Sequence, residues 1–297
     1  MKPELILGTA QFGFNYGITN KKGKINAKDV FSILKKASEY QIKKLDTAQN
    51  YGDSELVIGA AKSKKISFKI SSKLFPIEEN INSYELKNIW LESLKKSLFN
   101  LKVEKLDSLF VHRSKDLLGY RKKELLKWLL EVKKDGLISK IGVSIYHDAN
   151  VKDLPLDFID LIQLPLSIYD QRSIRSGLIS FLKSKNIKIQ ARSIFLQGLT
   201  LCKPSLLPSW VSLKDKKSHK IFWDFCASED ISALELSLNF LKSQDNIDSI
   251  VFGIEDLNQL NQINSLWIKK DTKKIDIDFL NFSDQFLDPR KWPRELD

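Results

Sequence analysis

Eight short apolar runs, each followed by a longer amphipathic stretch, constrain this chain more than any other feature. The runs are ELILGTA (4–10), IKKLDTA (42–48), SFKISSKL (67–74), KLDSLFVH (105–112), LISKIGVSI (137–145), FIDLIQLPL (158–166), IKIQARSIF (187–195) and DSIVFGI (248–254). Their cores are β-branched and nearly continuously apolar, as expected of strands buried on both faces. Between and after them, helical spacing predicts helices over 27–41, 53–63, 82–101, 121–136, 172–186 and 257–267. A short helix is expected at 148–153, and a long stretch over 218–243 is expected to break near Ser228. Asp53 and Ser54 are placed to cap the second helix, and Gly136 to stop the fourth. Right-handed crossovers between parallel strands turn this pattern into a closed (β/α)₈ TIM barrel. The alternative is an open doubly wound sheet, but no GxGxxG follows the first strand. No repeat, low-complexity linker or composition shift divides the chain, so one domain over 1–297 is expected.

The charge balance invites a different class. Formal net charge is +11 and the isoelectric point about 9.3. The basic residues are mostly lysines scattered beside glutamates on helices, as in LKKSLFNLKVEKLD. No arginine-rich arm and no RNP-like aromatic motif is present, which argues against a nucleic-acid partner. A mild positive field suits an anionic small ligand instead. No apolar run reaches the roughly 20 residues of a membrane helix, so no membrane association is expected. The N-terminus lacks a secretory core and cleavage site. Cys202 and Cys226 form no CxxC pair and read as reduced, packed thiols, which with the missing leader makes a cytoplasmic protein the expectation. His112, His147 and His219 show no ligand spacing, so no metal site is expected.

In a barrel the chemistry sits at the C-terminal ends of the strands. There the sequence places Gly8-Thr9-Ala10-Gln11, Asp46 with Tyr51 on the next loop, Lys73, His112, Ser144, Gln163, Arg192-Ser193 and Gly253. Singly each has an ordinary use. Asp46 could cap a loop, Tyr51 pack, Lys73 be solvated, and His112 be a satisfied core histidine. Together a carboxylate, a phenol, an ammonium and an imidazole from three consecutive strands suit proton donation to a carbonyl. A free tyrosine, with a pKa near 10, is a poor acid at neutral pH. A nearby ammonium is expected to lower it, with Asp46 holding Lys73 in place and His112 orienting the substrate oxygen. A hydride would have to come from a cofactor, since no side chain supplies one.

Those same residues carry a resemblance. LDTAQNYGDSE matches the Asp-Thr-Ala-x-x-Tyr-Gly-x-Ser-Glu signature of the aldo/keto reductases, LGTAQFG resembles their opening turn, SSKL their lysine segment and LFVHRSKD their histidine segment. The resemblance spans essentially the whole chain. It implies a (β/α)₈ barrel, NAD(P)(H)-dependent reduction of a small carbonyl substrate, sugar-like or otherwise polar, with Tyr51 as general acid and Asp46, Lys73 and His112 as its partners. A cofactor-binding regulatory subunit with the same fold is the alternative. Oligomeric state is left open.

The cofactor half departs from the family pattern. The resemblance assigns it Gly8, Thr9, Asp46, Ser144, Gln163, Arg192, Ser193, Phe195, Gln197, Gly198, Gly253, Glu255 and Gln259. In IGVSIYHD the family's carboxamide-binding asparagine is replaced by Ile145, while Ser144 and Gln163 are kept. Arg192 stands where the family often has an aromatic under the nicotinamide, and could stack there through its planar guanidinium or form a salt bridge at the barrel rim. Glu255, Gln259 and Ile263 fall where NADP-binding members carry a basic residue for the 2′-phosphate, with Lys269 and Lys270 further along. The family implies NADP(H), kept slightly ahead; these residues pull toward NAD(H). The tail FLDPRKWPRELD is expected to pack mainly against the barrel, with Trp292 a candidate pocket residue.

Overall fold

The structure is a computed structural model and describes residues 2–61, 66–76, 83–269 and 280–293. In chain order its elements are β1 (Glu4–Gly8), α1 (Ala10–Gly13), α2 (Ala27–Glu39), β2 (Lys44–Asp46), α3 (Ser54–Ala61), β3 (Lys69–Leu74), α4 (Ser83–Leu101), β4 (Ser108–Val111), α5 (Lys122–Lys134), β5 (Ile141–Ser144), β6 (Leu161–Pro165), α6 (Arg172–Arg175), α7 (Leu178–Ser184), β7 (Lys188–Arg192), α8 (Leu213–Ser228), α9 (Ala233–Lys242), β8 (Ser249–Phe252), α10 (Leu257–Ile268) and α11 (Asp284–Leu287). The eight strands pair in sequence order and close on themselves through β8 and β1, all parallel. This is the expected (β/α)₈ barrel.

Register explains which side chains meet inside it. In a strand, residues two apart share a face, and directly paired residues on neighbouring strands share one as well. Gly8 pairs with Asp46 and Asp46 with Ser71, so Lys73, two beyond Ser71, points the same way. Lys73 pairs with Phe110, which places His112 on that face. Phe110 pairs with Gly142, Ser144 with Gln163 and Gln163 with Gln190, which adds Arg192. Gln190 pairs with Ser249, and Gly253 closes the ring. The opposite faces carry Leu7, Leu45, Ile70, Leu109, Val143, Ile162, Ile189 and Ile250, all buried under the helices.

The helices begin where the sequence offers caps. Asn26, Ser212, Ser232 and Asp256 each accept a backbone N–H three residues on, at α2, α8, α9 and α10. Apolar stripes then face the sheet, and Trp90 of α4 meets Trp128 of α5 at 5.5 Å between ring centres.

Four local expectations change. The stretch 172–186 is two helices, because Gly177 adopts φ +74 between α6 and α7 and a left-handed residue cannot continue a helix. The predicted helix at 148–153 is a single 3₁₀ turn, Val151–Asp153, ended by Leu154 and Pro155. The break in 218–243 lies where expected, but α8 starts five residues earlier at Leu213 because Ser212 caps it. Ser54 does not serve as a cap: its hydroxyl is buried and donates to the Thr9 carbonyl at 2.9 Å. Residues 62, 63 and 82 of the predicted helices, Lys270, and the last four residues of the tail lie outside the described residues. Among the described residues no helix is long and apolar enough to cross a membrane.

Candidate active site

At the C-terminal end of the barrel lies a cavity of about 1160 Å³. Asp46, Tyr51, Lys73 and His112 line it, as do Gly8, Thr9, Ser144, Gln163, Arg192, Ser193, Phe195, Gln197, Gly198, Gly253, Glu255 and Gln259. The structure thus brings all of these residues, each expected from the sequence, to one wall-to-wall surface. It is larger than the about 300–1,000 Å³ of a typical single-ligand pocket.

Its floor is an ion pair. Lys73 Nζ lies 2.5 Å from Asp46 Oδ2 and also donates to the Thr47 carbonyl at 3.0 Å; both side chains are buried. Gln163 Nε2 donates to the other Asp46 oxygen at 2.9 Å and to Gln190 Oε1 at 3.0 Å. Both amide hydrogens of Gln163 are therefore spent, while its Oε1 is buried without a partner among the described residues. Burial pushes the Lys73 ammonium below its ordinary pKa, and Asp46 works against that shift.

Tyr51 is held by its loop. Gln49 N–H donates to the Lys73 carbonyl at 3.2 Å, and Gln49 Oε1 accepts the Phe75 N–H at 2.9 Å, tying the loop to β3. From the other side Gly13 packs so closely that a Cβ there would lie 1.6 Å from the Tyr51 carbonyl oxygen. The Lys73 ammonium sits 5.0 Å from the centre of the Tyr51 ring, over its face. The expected lowering of the phenol pKa is not what the structure gives. Burial and the Asp46 carboxylate raise it well above the ordinary tyrosine range, with Arg192 opposing. The carboxylate that holds Lys73 acts on the phenol in the opposite sense, and burial adds to it.

His112 faces Tyr51 edge-on at 6.4 Å between ring centres. It is not a satisfied core histidine. Its Nδ1 is buried without a partner, and no hydrogen bond to the ring occurs among the described residues, which leaves Nε2 for the cavity. His147 and His219 behave otherwise: His147 bonds Asp170 at 3.0 Å, and His219 lies between Tyr169 at 2.8 Å and the Cys202 carbonyl at 2.8 Å. Burial and the nearby charges of Lys73, Arg192 and Arg113 lower the His112 pKa to about 3, so the ring is neutral.

Arg192 does reach the cavity, but its stacking partner is Tyr146, with the guanidinium carbon 4.2 Å from the ring centre. Ile145 turns its side chain into the core, and its backbone oxygen accepts from Arg192 Nη2 at 3.0 Å. The loop after β7 is strained: Ser193, Leu196 and Gln197 all have positive φ, at 57°, 47° and 52°. Such conformations cost non-glycine residues about 1–2 kcal/mol each and cluster where a loop must meet a ligand. Glu255 lies on the wall beside Asp256, which pairs with Lys22 and caps α10. Lys269 instead pairs with Glu235 at 2.9 Å.

The sequence reading missed other lining residues, among them Tyr16, Lys21, Tyr146, Trp223 and Arg290. None lies in a strand, and Trp223 and Arg290 come from distant helical segments, so strand-end reasoning had no signal for them. Trp292 does not line the cavity. It packs on Trp210 at 5.4 Å and donates to the Phe286 carbonyl, and Arg290, two residues earlier, enters instead. Of the two free cysteines, Cys226 is buried as expected, while Cys202 is half-buried; both edge the cavity. Among the described residues no group of three or more His, Cys, Asp or Glu is arranged to hold a metal ion.

Comparison with known proteins places this geometry in a family. The sequence model of the aldo/keto reductase family matches residues 4–277. No curated protein sequence matches the chain. Among solved structures, the aldo-keto reductase AKR11C1 from Bacillus halodurans, in its holo form, superposes with a TM-score of 0.73 at 20% identity, covering 90% of this chain and 87% of that one. The glycerol dehydrogenase AKR11B4 from Gluconobacter oxydans gives 0.66 at 19% identity, over 89% and 86%. At these identities the structures speak for the shared barrel, and the family match over nearly the full length carries the rest: this chain belongs to the aldo/keto reductase family of oxidoreductases.

Proposed function

We propose that the chain is a nicotinamide-dinucleotide-dependent carbonyl reductase, with Tyr51 as the proton donor to an aldehyde or ketone. The observation that carries this reading is the meeting, in one cavity, of the Asp46–Lys73 pair, the Tyr51 phenol and a neutral, partnerless His112. When bound, the cofactor supplies the hydride. The residues present suit it. Gln163 Oε1, buried without a partner among the described residues, would accept the N–H of a carboxamide, with Ser144 paired beside it on the next strand. Gly8, Thr9, Ser193, Phe195, Gln197, Gly198, Gly253, Glu255 and Gln259 line the same cavity and would hold the rest of the dinucleotide, with Gln197 and Gly198 toward its pyrophosphate. NADP(H) is kept ahead of NAD(H), supported by Lys21 and Lys203, exposed cations on the wall that outnumber Glu255.

The side chains divide the remaining work. Tyr51 keeps its proton until an alkoxide develops, since burial and Asp46 disfavour the phenolate. Proton transfer of this kind contributes about 10²–10⁴-fold. The Lys73 ammonium, over the ring face, stabilises the negative charge the phenol acquires in the transfer, and Asp46 keeps that ammonium in place. His112, neutral with Nε2 toward the cavity, is suited to hydrogen-bond the substrate oxygen and fix its approach. A small polar carbonyl compound fits, in keeping with a structural neighbour named for glycerol.

The test joins binding and turnover. Parallel titrations with NADPH and NADH, read from quenching of tryptophan emission, should show binding, with Trp223 in the cavity wall as reporter. Tyr51→Phe should lower kcat for aldehydes by about 10²–10⁴-fold with little change in cofactor affinity. Undiminished turnover in that variant sinks the mechanism, and binding of neither cofactor sinks the reductase reading.

A further inference from the structure

Arg192 differs from the other cations near the reacting centre. Lys73 is neutralised by Asp46, and Arg290 by Asp288 at 2.6 Å and Asp148 at 3.1 Å. Lys21 and Lys203 are exposed, where water solvates an ammonium. Arg192 is half-buried in the cavity wall, and no carboxylate among the described residues lies within ion-pair distance of it. Among the described residues its donations go only to neutral oxygens: Nη1 to Ser193 Oγ at 3.2 Å and Nη2 to the Ile145 carbonyl at 3.0 Å. Its Nε is sealed without a partner. A guanidinium taken out of water without a counter-charge is costly, and the cost is recovered when an anion arrives.

The position is built rather than incidental. Tyr146 carries the Arg192 guanidinium at 4.2 Å from its ring centre and that of Arg290 at 3.8 Å. Arg290, held by two aspartates, pins Tyr146, and Tyr146 in turn limits where Arg192 can swing. One hydrogen on each terminal nitrogen of Arg192 remains uncommitted, an end-on fork that suits two oxygens of one acid group. Arg192 lines the same cavity as Tyr51, Lys73 and His112, and its charge acts on all three, which sets the fork at that end of the cavity.

We infer that Arg192 is a specificity-determining residue, and that the carbonyl compound taken by this site carries an anionic group, a carboxylate or a phosphate, close to the reacting carbon. This rests on the carbonyl-reductase reading above. It replaces the stacking role under the nicotinamide that the sequence suggested for Arg192.

The test compares matched substrates on the full-length protein. kcat/KM is measured for 4-oxobutanoate against its methyl ester, and for glyceraldehyde 3-phosphate against glyceraldehyde, in the wild type and in Arg192→Gln. The expected result is a preference for one charged partner of about tenfold or more, the size of a charged hydrogen bond, and its collapse in the variant. Which pair shows it tells carboxylate from phosphate. A wild-type ratio near one, or a variant that loses charged and uncharged substrates equally, overturns the inference. So does a variant that loses NADPH or NADH affinity with its substrate ratio intact, because the anion would then be the cofactor's own pyrophosphate. Calorimetric titration with 4-hydroxybutanoate and glycerol 3-phosphate separates the two readings. Arg192-dependent binding of either upholds the anion site even where no carbonyl is reduced, and the reductase reading then falls alone. No Arg192-dependent binding of either overturns the inference even where uncharged aldehydes are reduced.

Discussion

Asp46 and Lys73 show how much of this site is set by two buried charges. Removing the ammonium alone leaves a carboxylate in the barrel with only the Gln163 amide to answer it. Lys73→Met should therefore cost about 3–5 kcal/mol of stability in urea unfolding, and adding Asp46→Asn should recover most of it without restoring turnover. An unchanged midpoint in the single variant would mean water reaches the pair. His112 gives a pH signature. Its folded pKa, about 3, lies below the unfolded value of 6.5. Below pH 6.5 the unfolded chain takes up a proton that the folded chain does not, so this residue's contribution to stability falls with pH down to about 3. His112→Gln should flatten that part of the stability–pH curve, and an identical curve would place the ring in water. The four residues themselves were legible, through LDTAQNYGDSE and two strand ends. Their protonation states were not, because burial and partners decide them.

At the scale of elements, the strands were legible because burial on both faces leaves a continuous apolar run, and helices α2, α4, α5 and α10 because their apolar stripes keep helical spacing. The split of 172–186 was not, since an isolated glycine in a helical pattern does not announce a positive φ. Gly177 has no atom within 4 Å of an added Cβ, so its requirement is purely one of backbone. Gly177→Ala should destabilise by about 1 kcal/mol, and Gly177→Asn by less, since asparagine tolerates the left-handed region. Equal thermal midpoints for all three proteins would show that α6 and α7 adjust freely. The strained loop at Ser193, Leu196 and Gln197 was equally hidden, because none of those residue types signals positive φ.

For the whole molecule, closure is the decisive event. β1 pairs with both β2 and β8, from Ile6↔Lys44 to Leu7↔Phe252. Deleting residues 2–8 should abolish the cooperative thermal transition and the near-ultraviolet dichroism together, because two parallel edges and the barrel interior are then exposed. A cooperative transition in the truncated chain would show that the remaining strands close without β1. The sequence by itself determined the barrel, since periodicity and strand-end position are local properties of the chain. It also supplied the family and the four polar residues Asp46, Tyr51, Lys73 and His112 that line the cavity. Tertiary structure alone decided that the Tyr51 phenol is pushed up rather than down, that His112 is unsatisfied, and that Arg192 faces the cavity without a counter-charge. Those outcomes depend on Asp46, Tyr146, Arg192 and Arg290, which are far apart in the chain and meet only when the barrel closes. Fields and desolvation act across space, and no local pattern in a sequence records them.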